Sequence, residues 1–366
     1  MAKQTFKKTI RTIHLWLGLV SGLIVLIVAL TGCMFVFEEN LKVSFDRDFY
    51  CTPQIGNTAV DLDILKDCVV ARFPKEEISN INFKGKPDAA YIFVTKNKLI
   101  SVNPYNNTII GVRKKTADFF TVVQEIHTKL YLGDVGAAII KANVLVFFVL
   151  CLSGLILWWP KKWKYFKKST TVNFKTKNKK LLVWNIHSVL GFYALIILVI
   201  IAFTGMFMAY DSVKQATSLV TRGTIEIKEN RPKIKAEPNV SPTIVLQQLY
   251  DFGLGFDKQK PIETMIMLPT KKNALLRIAI RYPYSIARRQ NTFLYDGNTA
   301  KLISKTLYSQ YDSYEKVAMS AYNLHTGRTV GIYSKIVYFF AALFAASLPV
   351  TGFLIWRGKK HKKNKL

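Results

Sequence analysis

The chain has 366 residues, of which half are hydrophobic, yet Lys and Arg outnumber Asp and Glu by 52 to 23, a formal charge of +29. That combination excludes an ordinary soluble domain and fits a membrane protein with basic loops, with the charge read as topology and attraction to membrane lipid rather than as a nucleic-acid surface. Four stretches, 12–37, 142–160, 181–210 and 336–356, contain no Asp, Glu, Lys or Arg. At about 20 residues for a ~30 Å hydrocarbon layer, each predicts one transmembrane helix.

In chain order, residues 1–37 are a basic start followed by the first span. Lys3, Lys7, Lys8 and Arg11 resemble the head of a signal peptide. The apolar run is too long for one and lacks a small-x-small cleavage site, so a retained helix is expected. Residues 38–118 form a polar segment with a helix in "VDLDILKDCVVARF" and strands meeting at an Asn-rich turn in "AAYIFVTKNKLISVNPYNNTIIGV". Residues 119–160 hold an interfacial segment and the second span. The Lys-rich loop 161–180 and the third span, 181–210, follow.

The second polar segment, 211–318, opens a helix with Ser-Pro in "SPTIVLQQLYDFG". It continues with strands in "RIAIRY" and "NTFLYDGNTAKLIS", the latter turning at Asp-Gly. Residues 319–357 carry another interfacial segment and the fourth span, and 358–366 are a basic tail. The positive residues before span one, between spans two and three and after span four place these three segments, and both termini, in the cytoplasm. The two polar segments are then two small extracytoplasmic α+β domains. Cys51 and Cys68, both in the first of these domains, share an oxidising compartment without a spacing that demands a disulfide, while Cys33 and Cys151 lie in spans as packing residues.

The chain also repeats itself. "IHLWLG" at 13–18 returns as "IHSVLG" at 186–191, and the 18 residues from His14 to Gly32 recur from His187 to Gly205. "IHTKLYLG" and "LHTGRTVG" open the other pair, with 27 residues from His127 to Gly154 and again from His325 to Gly352. The expected fold is a mainly α membrane protein of four transmembrane helices, built as a duplicated two-helix unit. Twenty-seven residues of straight helix would run about 40 Å, so His127 and His325 are expected on short interfacial segments that bend before descending.

Four of the five histidines thus occupy matched positions, His14 and His187 at the inner side and His127 and His325 at the outer side. Haem iron accepts one imidazole on each axial position, and facing helices can supply them. Gly18 and Gly191, four residues after the inner histidines, lie on the same helical face and could let a flat macrocycle approach the backbone. Thr31, Thr204, Ser153 and Thr351, each before a glycine, would wall the sites or simply let helices pack closely. Zinc or copper would want more ligands per site, and no nucleotide loop or hydrolytic triad is present.

These motifs, "IHxWLGL" at 13–19, "LHxxLxLG" in the form Ile126–Gly133 and "SGLxLWWP" at 153–160, resemble those of the PepSY-associated transmembrane family over residues 1–357. One departure is Thr326-Gly327-Arg328-Thr329, where a leucine-rich pattern would follow the histidine. The resemblance implies PepSY domains between the spans, a bacterial inner-membrane location and, from its ferric-siderophore reductase branch, two haem b groups ligated by His14, His187, His127 and His325. It further implies electron flow from a cytoplasmic or quinol donor to an external ferric siderophore or similar ferric chelate. Arg113, Lys114, Arg277, Arg281 and Arg288 are candidate contacts for an anionic chelate, with scattered solvated charge the simpler account. The rival function is a membrane-anchored PepSY binding or regulatory scaffold without redox catalysis; a permease is disfavoured by spans without ionisable carboxylates or amines.

Overall fold

A computed structural model describes residues 2–227, 234–235, 245–270, 273–283 and 288–363. The Ser241-Pro242 helix start and the last residues of the basic tail lie outside them. In chain order the elements are α1 (Ala2–Val36), α2 (Glu38–Phe45), α3 (Arg47–Tyr50), α4 (Leu62–Arg72), β1 (Ile78–Lys84), β2 (Tyr91–Thr95), β3 (Lys98–Val102) and β4 (Ile109–Lys114). Then come α5 (Phe119–Lys129), α6 (Gly133–Trp158), α7 (Phe166–Ser169), α8 (Lys179–Ala209), α9 (Asp211–Arg222) and α10 (Leu246–Leu254). The chain closes with β5 (Glu263–Met267), β6 (Leu275–Tyr282), β7 (Arg289–Asp296), β8 (Leu302–Thr306), α11 (Ser313–Thr326) and α12 (Gly331–Lys363). Two compact units result, one helical and one built on the strands.

In the helical unit, four helices are long and apolar enough to cross a membrane: α1, α6, α8 and α12. They pack in the ring order α1, α12, α8, α6, so α1 and α8 face each other across the bundle. Lipid is as apolar as leucine, so burial alone cannot drive this association; small side chains that let backbones approach must do so. The interior accordingly holds Ala194, Ala202, Ala341, Ala345 and Ala346 with Cys151 and Ser21.

The bends expected after the outer histidines are present. Helix α5 stops at Lys129, Leu130 and Tyr131 take left-handed backbone conformations, and α6 restarts at Gly133. A Cβ at Gly136 would lie 1.6 Å from the Lys129 carbonyl oxygen, so only glycine permits this tight join. Helix α11 likewise ends at Thr326, and Gly327 turns the chain with a φ of 69° beneath the Tyr338 ring. The missing leucines after His325 therefore interrupt no helix, because the helix closes there in both halves.

The strand unit corrects the expectation of two separate domains. Its strands form a single antiparallel sheet of eight, ordered β4-β3-β2-β1-β5-β6-β7-β8. The first polar segment supplies one half and the second the other, joined where β1 pairs with β5 through Ile81 opposite Ile266. Helices α4 and α10 cover one face, and Leu65, Val69, Leu246, Phe93, Ile278 and Phe293 form a continuous core with the seam residues. The helices also cap each other: Asp63 accepts the backbone N–H groups of Leu246 and Gln247 at 3.0 and 3.1 Å, while Gln247 accepts that of Leu62 at 3.2 Å. Orphan amides at both helix starts are thereby satisfied across the two segments. All four cysteines are free, with Cys51 buried and the Cys68 thiol on the Asn107 carbonyl at 3.2 Å.

Charge reinforces the seam. Lys84 on β1 bridges Glu39 at 2.7 Å and Glu263 on β5 at 2.8 Å, and Glu263 also pairs with Arg281 on β6. Burial alone would raise the Glu263 carboxyl, but Lys84 and Arg281 outweigh it and hold it below the ordinary 4.5. A depressed carboxylate stabilises the fold above its unfolded pKa and loses that contribution as pH falls through the folded value. Glu263→Gln is thus expected to cost about 2 kcal/mol at neutral pH. Its deficit should shrink below pH 4.5, as urea unfolding of the strand unit followed by tyrosine fluorescence would show; an equal deficit at every pH would refute the pairing.

Candidate functional site

The four matched histidines meet in two pairs inside the helical unit. His14 on α1 and His187 on α8 approach across the bundle with ring centroids 6.4 Å apart, and His127 on α5 faces His325 on α11 at 6.2 Å. Thr31, which touches His127, lies seventeen residues beyond His14 on α1, so about 25 Å separates the pairs along that helix.

Each ring is held by a hydroxyl on a neighbouring helix. Nδ1 of His14 lies 2.8 Å from Ser153 Oγ, that of His187 2.8 Å from Thr351, that of His127 2.9 Å from Thr31 and that of His325 3.0 Å from Thr204. In every case the hydroxyl spends its own proton on the carbonyl four residues earlier: Val149, Ser347, Ile27 and Ile200. A hydroxyl whose proton is committed can only accept, so each Nδ1 must carry the hydrogen. His325 confirms the assignment locally, since its Nδ1 also lies 3.0 Å from the Ile201 carbonyl, which is an acceptor only. The lone pair of every ring is therefore on Nε2, and all four rings are oriented as metal ligands are by a second layer of hydrogen bonds.

The glycine after each hydroxyl completes the seat. The Cβ position of Gly154, Gly352, Gly32 or Gly205 stands 3.4 to 3.5 Å from the Cε1 of His14, His187, His127 or His325 respectively. The Ser-Gly and Thr-Gly pairs, read from sequence as walls or packing residues, are thus the hydrogen-bond partners of the rings. Their mirrored spacing was the signal; the donor and acceptor roles needed the neighbouring helix. Gly18 and Gly191 face Leu150 and Leu348 instead, with ordinary contact distances of 3.8 and 3.7 Å for an added Cβ.

Two imidazoles bound to one metal through single nitrogens at about 2.0 Å hold their ring centres roughly 6 Å apart, which matches both pairs. No group of three or more His, Cys, Asp or Glu suited to a metal exists among the described residues. A bare zinc or copper ion would be left undercoordinated by two imidazoles. The donor set fits a metal that brings its own equatorial ligands, as haem does.

The five cationic residues considered for a chelate do not converge. Arg113 forks onto Asp46 and stacks 3.8 Å from the Phe49 ring centre, and Arg281 is tied to Glu263 and Gln290. Arg113 and Lys114 sit on the edge strand β4, five strands from Arg277 and Arg281 on β6, or about 24 Å at ~4.8 Å per strand. Arg288 precedes β7, its backbone N–H on Ser320. Arg113 and Arg281 are thus committed to ion pairs within the sheet unit.

A helical membrane unit with two facing, pre-oriented histidine pairs, joined by chain to an antiparallel sheet unit, defines the class of protein. The chain belongs to the PepSY-associated TM region family, whose pattern matches residues 11–359. No curated protein matches the chain significantly.

Proposed function

We propose that the chain is a bacterial inner-membrane electron-transfer protein with two haem b groups, which reduces extracytoplasmic ferric siderophores or similar ferric chelates. In this reading both termini and the loop 161–180 are cytoplasmic, the strand unit is outside, and the fold is a duplicated two-helix unit. His14 and His187 hold the inner group; His127 and His325 hold the outer one. Haem so bound supplies reversible one-electron exchange between Fe(III) and Fe(II).

The chain's own residues prepare that role. Ser153, Thr351, Thr31 and Thr204 keep Nε2 unprotonated, so each histidine pair would offer a haem two imidazole nitrogens, and the group so held would supply electron transfer rather than oxygen chemistry. The glycines at 18 and 191, one turn from the inner histidines, keep the helix surface low beside the site. Electrons reaching a chelate built for hard Fe(III) would leave Fe(II), a weaker partner for oxygen ligands, and so release the metal.

The single observation that carries the reading is the pair of facing histidines at each end of the bundle, each with Nδ1 engaged on a hydroxyl. Pyridine haemochrome analysis of the purified protein is expected to give about two haems per chain, both six-coordinate and low-spin. A colourless protein would sink this function and favour the non-redox scaffold.

A further inference from the structure

The end of the helical unit that holds His14 and His187 is one-sided in charge. Residues 1–11 carry four basic side chains, 161–180 nine lysines and 357–366 six more basic residues, and none of these segments contains Asp or Glu. The carboxylates of this unit, Glu125, Asp134 and Asp211, all belong to the opposite end. Membrane topology asks for cations in such a loop, but it does not ask for the loop to be folded.

This loop is folded. Its short helix α7 is pinned to α6 by the Trp158 indole N–H on the Ser169 carbonyl at 3.0 Å, and to α8 by the Tyr193 hydroxyl on the Thr170 carbonyl at 3.0 Å. Asn178 caps α8 by accepting the backbone N–H groups of Lys180 and Leu181. All nine lysines are exposed, and none forms an ion pair among the described residues. A folded, uncompensated basic surface is a docking face for an acidic partner.

Aromatic rings lead inward from that surface. Trp163, 71% exposed, stacks on Phe166 at 4.8 Å; Phe166 meets the edge of Trp158 at 5.8 Å; and Trp158 lies face to face with Phe192 at 3.7 Å. Trp158 is one helical turn beyond Gly154, which touches His14. Electron tunnelling weakens exponentially with gap width, so a series of contacting rings between the loop and the inner pair is a favourable route.

Proton chemistry decides the kind of donor. A quinol gives up two protons with its two electrons and needs a base to receive them, whereas this end has no carboxylate and both imidazoles are committed. A carrier that delivers electrons without protons meets no such obstacle. We propose that residues 161–180 are the docking platform for an acidic one-electron iron–sulfur protein of the ferredoxin type, an inference that rests on the electron-transfer function above. One electron would leave the reduced cluster, oxidising it by one unit, and would pass to the haem that His14 and His187 would hold; no bond is made or broken and no proton moves.

The test uses the full chain in nanodiscs of neutral phosphatidylcholine and an acidic [2Fe–2S] ferredoxin as probe. Binding of the oxidised ferredoxin, read by interferometry, should weaken at least tenfold in a Lys164→Gln, Lys167→Gln, Lys168→Gln variant and return when the same three positions are arginine. It should also weaken steeply with salt. Stopped-flow reduction of the wild type by reduced ferredoxin should outpace reduction by a quinol. Trp163→Leu, measured at saturating ferredoxin, should slow that electron entry at least fivefold with the midpoint potential unchanged. Salt-independent binding indifferent to the lysines, or displacement of ferredoxin by a physiological fraction of anionic lipid, would overturn the platform. Binding does not need haem, so a colourless protein that still binds ferredoxin through these lysines would refute the redox function while upholding the docking surface.

Discussion

Replacing His14 and His187 together by alanine is expected to abolish one of two low-spin haem signals and leave the other native. The same outcome is expected for His127→Ala with His325→Ala. The reason is the pairing by depth: the rings of each pair lie 6.4 or 6.2 Å apart, while the two pairs are about 25 Å apart along α1. If each pair holds a haem as proposed, any single substitution would remove one of its two imidazoles, so about half of the low-spin signal should convert. His14→Ala with His127→Ala takes one ligand from each site and should disturb both. Electron paramagnetic resonance of the purified variants decides the matter, and a wholly native signal in that mixed variant would defeat the assignment.

The hydroxyl partners carry the second large effect. Thr351→Val is nearly isosteric but removes the acceptor that holds Nδ1 of His187 at 2.8 Å. Loss of such outer partners commonly costs 10–100-fold in affinity, and haem retention at that site should fall accordingly. An imidazole that donates less strongly is a poorer ligand for Fe(III), so the midpoint potential of the proposed inner haem should rise. Thr351→Ser keeps the hydroxyl and should restore both properties, which a purely packing role would not predict. Thr204→Val should act in the same direction at His325, since both rings keep a backbone carbonyl beside them, Ile201 at His325 and Leu348 at His187. No effect at either position would show that the hydroxyls do not set the ring orientation.

Much of the site was visible in the chain before folding. The four apolar runs became α1, α6, α8 and α12, and the paired His-to-Gly spacings marked which histidines belong together. What the spacings could not state was partnership across helices. Ser153 is 139 residues from His14, and Thr31 is 96 from His127, and a hydroxyl becomes an acceptor for imidazole only once packing brings it within hydrogen-bond reach. Gly18 and Gly191 attracted attention by standing one turn from a histidine, yet the rings turn toward the glycines of the adjacent helix because the hydroxyls there fix Nδ1.

The sheet divides in the same way. Alternation and turn residues disclosed β2, β3 and β4 in one segment and β6, β7 and β8 in the other, because hairpin strands are local and their period of two is written in consecutive residues. The seam strands β1 and β5 escaped, and with them the fact that both segments make one sheet. "ISNINFK" carries asparagine in place of clean alternation and a register shift between Ile78 and Asn80; "ETMIM" is five residues long. Their pairing joins residues far apart in the chain, as Ile81 with Ile266, so it is stabilised by a shared core under α4 and α10 rather than by local preference. Periodicity and matched histidines determined the membrane helices and nominated the paired imidazoles; only tertiary packing decided which hydroxyl each imidazole meets and that two polar segments close into one domain, since both depend on contacts between residues far apart in the chain.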